Sequence, residues 1–361
     1  MRTLRVAVVP PPERERASYR NPYHRLLGEA LAQHGVETVG ASVRPTWFAK
    51  EAPRLDAVHF HWTELLISSK GNGLAASAAT ALKAARLEAL LWGLRRSRVR
   101  IVWTVHNLRA HEPRSPRLES LLARSTYAAA DAVLVHSEYA RQKVVDYFGA
   151  HRRILVAPIG NYIGAYPDDP RPREEIRRQL ALEPRTYSDL LFGQVRRYKR
   201  VPQAIEAFRR GADEDSRLLV VGGLAEEDRA LGEEVHAAAG ADPRVQLRLG
   251  FVHADEVASY FRAADAAVLA YEDVFSSAVL LLALSFGLPV IAPVQGSAVE
   301  IAPPPAVESF ADDLSGAFAA IREGDQAARR DAARRAAEGC SWERMAAVLA
   351  DAYAGEDDAP N

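Results

Sequence analysis

The sequence has few features of secreted or membrane-spanning proteins. Its only cysteine, Cys340, cannot form a disulfide within the chain, which is typical of proteins in a reducing cytoplasm. Segment 1–15 becomes charged too early to be a secretory signal. The longest uncharged stretch, 274–299, is interrupted at 287–289 by Gly-Leu-Pro, which leaves less than the ~20 residues of a membrane span. We therefore expect a cytoplasmic protein.

Charge of one sign is not in excess either. The chain carries 46 lysine and arginine residues against 47 aspartate and glutamate residues, a formal net charge of -1. A protein without a basic excess has no electrostatic reason to bind nucleic acid in general, so we expect no nucleic-acid partner. Lysine is scarce, which makes each retained lysine more informative; the five are Lys50, Lys70, Lys83, Lys143 and Lys199.

What the sequence does contain is an alternation of short apolar runs and longer segments with helical spacing. In the first half the predicted strands are 4–10, 36–43, 57–61, 100–106, 132–137 and 154–158. The predicted helices include one that starts at Asn21-Pro22 and ends at Gly35, followed by 73–96, 116–129 and 138–148. Nearly continuous apolar strands that alternate with helices indicate a parallel sheet covered on both faces.

A segment rich in Gly, Pro and Asp, 159–174, interrupts the alternation, and we interpret it as an interdomain linker. The alternation then resumes, with predicted strands at 189–195, 217–223, 244–250, 266–271 and 288–293. Together with the length of the chain, this predicts an α/β fold with two doubly wound, Rossmann-like domains. Ligands of such sheets bind beyond the carboxyl ends of the strands, so the site is expected there.

Polar and titratable residues follow several strands of the first predicted domain. They are His59, His61, Trp62, Glu64, His106, Asn107, His111, Glu112, His136, Ser137 and Glu138. Each histidine alone is explained as well by a bond to a loop carbonyl, and Ser137-Glu138 by a helix N-cap with a first-turn acid. The collective pattern favours a site, because buried polar groups are costly unless paired. His59 and His61 lack a third ligand at a convincing spacing, so we expect no metal there.

The strand ends of the second domain combine glycines, cations and serines. Gly193 ends one strand and precedes a cationic cluster of Arg196, Arg197, Lys199 and Arg200. Cations beside a helix start can hold a diphosphate, although such a cluster is also common on solvated surfaces. The other strand ends contribute Gly222-Gly223, Gly250-Phe251-Val252 and, where a buried helix begins, Ser276-Ser277, whose alternative role is helix capping.

Five segments, in this order and spacing, resemble the GT-B glycosyltransferases, which include bacterial mannosyl- and glucosyltransferases of glycolipid and exopolysaccharide assembly. They are WTVHN, ADAVLVHSEYARQ, FGQVRRYKR, ADAAVLAYED and LALSFGLPVIAP. The resemblance implies two Rossmann-like domains that face a central cleft. Residues 1–160, joined by the C-terminal helix 341–361, would bind the acceptor, and residues 161–340 the nucleotide-sugar. The resemblance also implies a reaction that needs no metal ion.

The resemblance assigns two residues by position. His106 matches the family's cleft histidine near the donor sugar, and Lys199 matches the lysine that contacts the donor phosphates. The family's arginine is replaced by Gln194, and we expect Arg196 to substitute for it. The two glutamates of retaining members are replaced by Val274 and Leu282, so the chain is closer to inverting β-mannosyltransferases of this fold.

These considerations predict transfer of a hexose from a UDP- or GDP-sugar to a hydroxyl of a saccharide, lipid-linked or small-molecule acceptor. The candidate bases are Glu64, His106 and Glu112. The predicted donor-binding residues are Gly193, Arg196, Lys199, Gly223, Val252, Tyr271, Ser276 and Ser277. The predicted acceptor-side residues are His61, Trp62 and Asn161.

Three alternatives remain open. A UDP-sugar 2-epimerase shares the two-domain fold and would need no acceptor, and a catalytically silent partner subunit would explain the missing glutamates. The segment 83–100, in which Leu87, Leu90, Leu91 and Trp92 stand among basic residues, either docks peripherally on the inner face of a membrane or packs on the sheet as an ordinary helix.

Overall fold

The structure, a computed structural model, describes residues 2–11, 21–67, 73–109, 115–225 and 228–355. The chain divides into two compact units. Unit 1 comprises Met1–Pro158 and Trp342–Asn361, and unit 2 comprises Ile159–Ser341.

Unit 1 contains a six-stranded, all-parallel sheet of order β2-β1-β3-β4-β5-β6. Its strands are β1 Leu4–Val9, β2 Val36–Gly40, β3 Ala57–Phe60, β4 Arg100–Thr104, β5 Ala132–Val135 and β6 Ile154–Val156. The central strands are almost entirely buried because helices cover both faces, which explains their continuous apolar runs. The predicted strands are confirmed, although most end before their polar residues, which therefore lie beyond the strand ends.

The helices in the first segment of unit 1, before Pro158, are α1 Tyr23–Gln33, α2 Pro45–Glu51, α3 Glu64–Ile67, α4 Leu74–Leu94, α5 Pro116–Ala129 and α6 Glu138–Phe148. The sequence did not predict the short helices α2 and α3. The start predicted for α1 was wrong by one residue: Pro22 is the N-cap rather than the first helical residue, and Asn21 Oδ1 accepts from the backbone N–H of Tyr23 at 3.1 Å. Ser137 caps α6 as predicted, since its side chain accepts from the N–H of Ala140.

Unit 2 contains a second six-stranded parallel sheet, of order β12-β11-β10-β7-β8-β9. Its strands are β7 Tyr187–Phe192, β8 Ser216–Gly222, β9 Val245–Leu249, β10 Ala266–Val268, β11 Val290–Pro293 and β12 Val307–Phe310. β12 was not predicted, because its half-buried segment VESF lacks a long apolar run. Two parallel sheets covered by helices confirm the predicted α/β fold.

The helices of unit 2 are α7 Arg173–Gln179, α8 Val201–Gly211, α9 Arg229–Gly240, α10 Ala254–Ala263, α11 Ala278–Ser285, α12 Ala298–Ile301, α13 Leu314–Ala320 and α14 Gln326–Glu338. Short 3-10 turns lie at Ala52–Arg54 in unit 1 and Arg197–Lys199 in unit 2. The chain then enters α15, Trp342–Ala354, which belongs to unit 1 and packs against α1, β1 and β4.

The segment 159–174 is not a free linker. Asn161 and Tyr162 attach it to unit 2, because the backbone N–H of Asn161 donates to the carbonyl of Cys340 at 2.8 Å and that of Tyr162 donates to Ser285 Oγ at 2.8 Å. Ile159 and Tyr162 are buried, and α7 already begins at Arg173. Among the described residues, no helix is both long and apolar enough to cross a bilayer.

Candidate active site

Five histidines gather at the carboxyl edge of the unit 1 sheet. His24 comes from α1, His59 and His61 from β3 and its end, and His106 and His136 from the ends of β4 and β5. The ring centroids of His59 and His61 lie 4.1 Å apart, those of His61 and His106 5.3 Å, and those of His106 and His136 5.4 Å. The parallel register of β3, β4 and β5 places these strand ends side by side.

Direct hydrogen bonds order this histidine cluster. His61 Nδ1 lies 3.0 Å from His106 Nε2. His136 Nδ1 donates to the carbonyl of Ala157 at 3.0 Å, which fixes its proton on Nδ1 because a carbonyl only accepts. His106, named as a candidate base, is thus held by its neighbour rather than standing alone.

His59 lies deepest in the cluster and is held from two sides. Its Nε2 is 2.7 Å from Thr104 Oγ1 on β4, and its Nδ1 is 2.6 Å from the hydroxyl of Tyr353 on α15. Both ring nitrogens are therefore engaged, which agrees with a structural role for His59. The C-terminal helix contributes this contact, a relationship that sequence spacing does not reveal.

Burial keeps His59, His61, His106 and His136 neutral. Desolvation lowers the pKa of His59 to about 3 and that of His136 to about 4, and it lowers the pKa of His61 and His106 well below the ordinary value. Mutual repulsion among the histidines adds to the effect on His59, His61 and His106. At neutral pH His106 is therefore an uncharged hydrogen-bonding group and a weak base.

The two acceptor-side residues predicted in unit 1 differ in accessibility. His61 is fully buried beneath its neighbours, so its predicted contact with an acceptor is corrected to a supporting position under His106. Trp62 is half-buried and stacks on the His106 ring, with centroids 4.0 Å apart and planes inclined by 11°. The indole and the imidazole together form a flat aromatic surface at this edge.

Glu64 is the first residue of α3, which is separated from the end of β3 by residues 61–63. It lines a cavity of about 230 Å³ together with Asn107 and Glu119. Burial, with a smaller contribution from the charge of Glu119, raises the pKa of Glu64 to about 7. A carboxyl poised near neutrality is suited to proton abstraction. The other carboxylate candidate, Glu112, lies with His111 outside the described residues.

In unit 2, Lys199 lies at the carboxyl end of β7, folded back over Gly193. Gly193 has a φ of +97°, a conformation that strains any other residue, and a Cβ there would come within 2.9 Å of Lys199 Nζ and displace the amine. The lysine is buried, and desolvation, followed by repulsion from Arg196, lowers its pKa to about 8. The next residue, Arg200, has a left-handed backbone conformation with φ 53°. Such a conformation costs free energy in a residue other than glycine, and residues of this kind often occur at functional sites.

Lys199 and its surroundings include four predicted donor-binding residues. Its Nζ lies 5.9 Å from the ring centroid of Tyr271, whose hydroxyl is hydrogen-bonded to Ser277. Ser277 is also the N-cap of α11, where its side chain accepts from the N–H of Leu280 at 3.2 Å. Ser276 is half-buried beside it. The capping role and a place beside the lysine thus coexist.

Arg196 forms an ion pair of 2.6 Å with Asp228, the N-cap of α9. Both side chains are largely buried, with exposed fractions of 23% and 18%, so the pair is shielded better than a surface salt bridge. Arg196 is therefore already balanced by a carboxylate in this structure. Sequence reasoning missed Asp228, because a lone aspartate before a helix reads as an ordinary cap.

The remaining predicted donor-binding residues lie in loops of the same edge. Gly223 follows β8, and its carbonyl accepts from the N–H of Val195 at 2.8 Å. A side chain at the preceding Gly222 would collide with the backbone of Gly193, which shows how closely the two strand ends approach. Val252 is half-buried in the loop between β9 and α10.

The prediction for Asn161 is corrected. The residue lies in unit 2, and its amide donates to the carbonyls of Ala337 and Cys340 at 3.0 and 2.8 Å. Its Oδ1 accepts from the N–H of Ile163 at 3.2 Å. An amide occupied in this way fastens backbone segments together rather than binding an acceptor.

Sequence reasoning also missed residues around the Glu64 cavity, including Arg109, Glu119, Ser120 and Tyr147. They stand on helices and in a loop without a motif, and only folding brings them to Glu64. Among the described residues there is no group of three or more His, Cys, Asp or Glu side chains arranged to hold a metal ion.

Comparison with known proteins identifies relatives over most of the chain. The family model "Glycosyltransferase Family 4" matches residues 2–160, and "Glycosyl transferases group 1" matches residues 189–320. The GDP-mannose:glycolipid 4-beta-D-mannosyltransferase of Xanthomonas campestris pv. campestris is 30% identical over 290 residues, which are 78% of this chain and 72% of that protein. The D-inositol 3-phosphate glycosyltransferase of Pseudarthrobacter chlorophenolicus is 28% identical over 284 residues, 73% of this chain and 66% of that protein.

The fold is also found among solved structures. Sucrose-phosphate synthase from Thermosynechococcus elongatus superposes with a TM-score of 0.72 at 17% identity, covering 98% of this chain and 99% of that one. At this level of identity the similarity concerns the fold.

Proposed function

The chain belongs to the GT-B glycosyltransferases, and from this premise we propose that it transfers a hexosyl group from a nucleoside-diphosphate sugar to an acceptor hydroxyl. A bond forms between the acceptor oxygen and the anomeric carbon, the bond from that carbon to the diphosphate breaks, and the hydroxyl proton passes to a base. The observation that carries the proposal is the buried amine of Lys199 over Gly193. A buried cation is costly unless an anion offsets it.

The departing diphosphate is held by groups around Lys199. The lysine supplies one positive charge, and Arg196 supplies a second that Asp228 keeps in position until the donor binds. The N-terminus of α11 adds backbone N–H groups and the Ser277 hydroxyl. Preorganised donors of this kind stabilise charge that develops on a leaving group, and they support a reaction that needs no metal.

Glu64 is the base in this proposal. Its pKa of about 7 balances the fraction of ionised carboxylate against its strength as a base. His106 is less suited, because burial keeps its pKa well below the ordinary value. His106 and the Trp62 ring stacked on it instead form a surface for the transferred sugar.

The stereochemistry we propose is inversion. The positions at which retaining relatives carry glutamates are occupied here by Val274 and Leu282, both buried and apolar. A single displacement, with Glu64 as base and the diphosphate leaving from the opposite face, needs neither glutamate. Assignment of the product anomer by NMR tests this directly, and a retained configuration would exclude it.

For the donor and acceptor, we propose GDP-mannose and the sugar of a glycolipid, the substrates named for the Xanthomonas relative. The test is turnover with GDP-mannose, GDP-glucose, UDP-glucose and UDP-galactose, each with octyl β-glucoside as acceptor and each without it. We expect GDP-mannose with acceptor to give a disaccharide. An epimer formed from donor alone, or no turnover with any donor by a protein that thermal shift shows to be folded and to bind nucleotide, would refute the transferase reaction.

We further propose that unit 1 contacts an anionic membrane surface. Four large apolar side chains of its described part are more than half exposed: Leu65 on α3, Leu82 and Trp92 on α4, and Leu121 on α5. The three helices contact one another, so the four residues belong to one helical layer. Leu87, Leu90 and Leu91 point inward and are buried, so α4 packs on the sheet with one side and exposes Leu82 and Trp92 on another.

Exposed cations on the same helices, among them Arg86 and Arg124, give this layer the basic and apolar composition of membrane-surface helices. Co-sedimentation with phosphatidylglycerol vesicles should decrease for the double variant Leu82→Ser/Trp92→Ser. The matched control is Phe251→Ser, at an exposed apolar residue of unit 2. Equal sedimentation of the double variant and the unaltered protein would argue against the contact.

A further inference from the structure

The cavity beside Glu64 lies entirely within unit 1 and is lined by residues of α3, α5 and α6 and by residues 107–109, which follow β4. Its polar lining consists chiefly of Glu64, Asn107, Arg109, Glu119, Ser120 and Tyr147. We call it the Glu64 pocket. Its residues are mostly half-buried, so its groups are partly shielded from solvent and still reachable.

The size of the Glu64 pocket limits what it can hold. At about 230 Å³ it is smaller than the ~300–1,000 Å³ typical of sites for drug-sized ligands. One sugar ring is of the right order of size, whereas a nucleotide with its base, ribose and phosphates is too large. The pocket is therefore a place for part of the acceptor rather than for the donor.

The charges of the pocket argue against an anionic occupant. Glu64 and Glu119 contribute two carboxyl groups against the single guanidinium of Arg109. That guanidinium lies 5.0 Å from the ring centroid of Tyr147, to whose phenol it also contributes a hydrogen bond, so part of its capacity is already used. A phosphate placed here would meet carboxylates without enough cations to offset them.

The hydrogen-bonding groups of the pocket match a polyhydroxyl ring. The Tyr147 hydroxyl lies 3.2 Å from Ser120 Oγ, and hydrogen bonding to Ser120, followed by Arg109, lowers the pKa of Tyr147. Carboxylates accept from sugar hydroxyls, while the amide of Asn107 both donates and accepts. Leu108 and Ala123 supply the apolar contacts that the C–H groups of a sugar require.

We infer that the Glu64 pocket binds an uncharged sugar ring at the acceptor terminus, with the reacting hydroxyl directed at Glu64. This inference rests on the proposed function, and it makes a phosphorylated polyol a poor acceptor for this chain. The exposed side chains Leu65 and Leu121 belong to two of the helices that border the pocket, where the apolar part of a glycolipid would pass from the sugar to a membrane.

The test compares Glu119→Gln, Ser120→Ala and Tyr147→Phe with the unaltered enzyme, using GDP-mannose as donor and octyl β-glucoside as acceptor. Tyr147→Phe and Ser120→Ala should raise the KM for octyl β-glucoside about tenfold, as expected for loss of one hydrogen bond in a shielded site. The matched control is Glu138→Gln, an exposed residue that pairs with Arg141 on α6.

Glu119→Gln adds a second measurement, the pH profile of transfer, which would not change if Glu119 had only a structural role. The charge of Glu119 raises the pKa of Glu64, so its removal should shift the rising limb of the pH profile to lower pH. myo-Inositol 1-phosphate should show less than a tenth of the kcat/KM of octyl β-glucoside. The pocket assignment is overturned if the enzyme prefers the phosphorylated acceptor, or if all three variants of an active transferase keep the acceptor KM unchanged. The proposed function itself is contradicted by a different result, the absence of both transfer and hydrolysis with every donor.

Discussion

Nδ1 of His61 lies 3.0 Å from Nε2 of His106, and this hydrogen bond joins the end of β3 to the end of β4. Between two neutral imidazoles one nitrogen must donate and the other accept, so the bond selects the tautomer of both rings. It also holds His106 flat against Trp62. In the proposed reaction we therefore assign His61 as a positioning residue, which acts through the orientation of His106.

Replacing His61 by phenylalanine keeps an aromatic ring at this position but removes the hydrogen bond to His106. We expect kcat to fall about tenfold, because a buried ring nitrogen of His106 loses its partner, while KM for the donor changes less than twofold. The matched control is His151→Gln, since His151 bonds the carbonyls of Arg153 and Ala130 away from the histidine cluster. Equal losses of kcat in both variants would mean that stability, not the orientation of His106, is responsible.

The pKa values of Glu64 and Lys199 predict a narrow bell-shaped pH dependence of kcat/KM. Glu64 must lose its proton to act as base, so activity should rise through about pH 7. Lys199 must keep its proton to bind the diphosphate, so activity should fall above about pH 8. Lys199→Arg should move the falling limb beyond the measurable range, because arginine stays charged. A profile flat from pH 6 to 9 in the unaltered enzyme would contradict both assignments.

Much of the fold followed from the sequence, since buried parallel strands are continuous apolar runs. Examples are β5 and β11. Both strands were recognisable as short apolar runs, because both of their faces are covered. β12 escaped prediction, because its segment is only partly buried and its side chains are mixed. The short helix α3 escaped for a different reason: its four residues make only about one turn, which is too short for apolar residues to recur at helical spacing.

The candidate site was only partly predictable. Strand ends converge by topology, so the gathering of His61, His106 and His136 could be expected. The positions of Tyr353 and Glu119 in the site could not be predicted, since both residues come from helices whose placement depends on tertiary packing. Asn161 misled the prediction: its position after a strand suggested an acceptor contact, but its amide binds the carbonyls of Ala337 and Cys340.

The ion pair between Arg196 and Asp228 should restrain donor binding. Asp228→Asn removes the negative charge that balances Arg196, and we expect the KM for the nucleotide-sugar to decrease several-fold at low ionic strength. The gain should shrink as salt is added, because screening weakens the attraction between the freed cation and the diphosphate. Glu234→Gln is the control, since Glu234 pairs with the exposed Arg197 at 3.3 Å. A higher KM in Asp228→Asn would show instead that the carboxylate is needed to orient Arg196.

Asp189 on β7 should make unit 2 less stable as the pH rises. The residue is fully buried, and neither carboxylate oxygen has a hydrogen-bond partner among the residues that the structure describes. Desolvation, followed by the charge of Asp265, raises its pKa well above the ordinary 3.8. The folded state then retains a proton that the unfolded chain releases, so stability falls as the pH rises from about 3.8 towards the raised pKa.

Asp189→Asn has nearly the same shape and cannot ionise, so it should remove this penalty. We expect the variant and the unaltered protein to unfold at similar temperatures near pH 4.5, and the variant to unfold several degrees higher at pH 8, at about 2–4 °C per kcal/mol. Calorimetry from pH 4.5 to 8 measures the difference. The exposed Asp312→Asn serves as control and should show no trend with pH. A constant difference between Asp189→Asn and the unaltered protein across this range would mean that Asp189 is not the group whose proton is retained on folding.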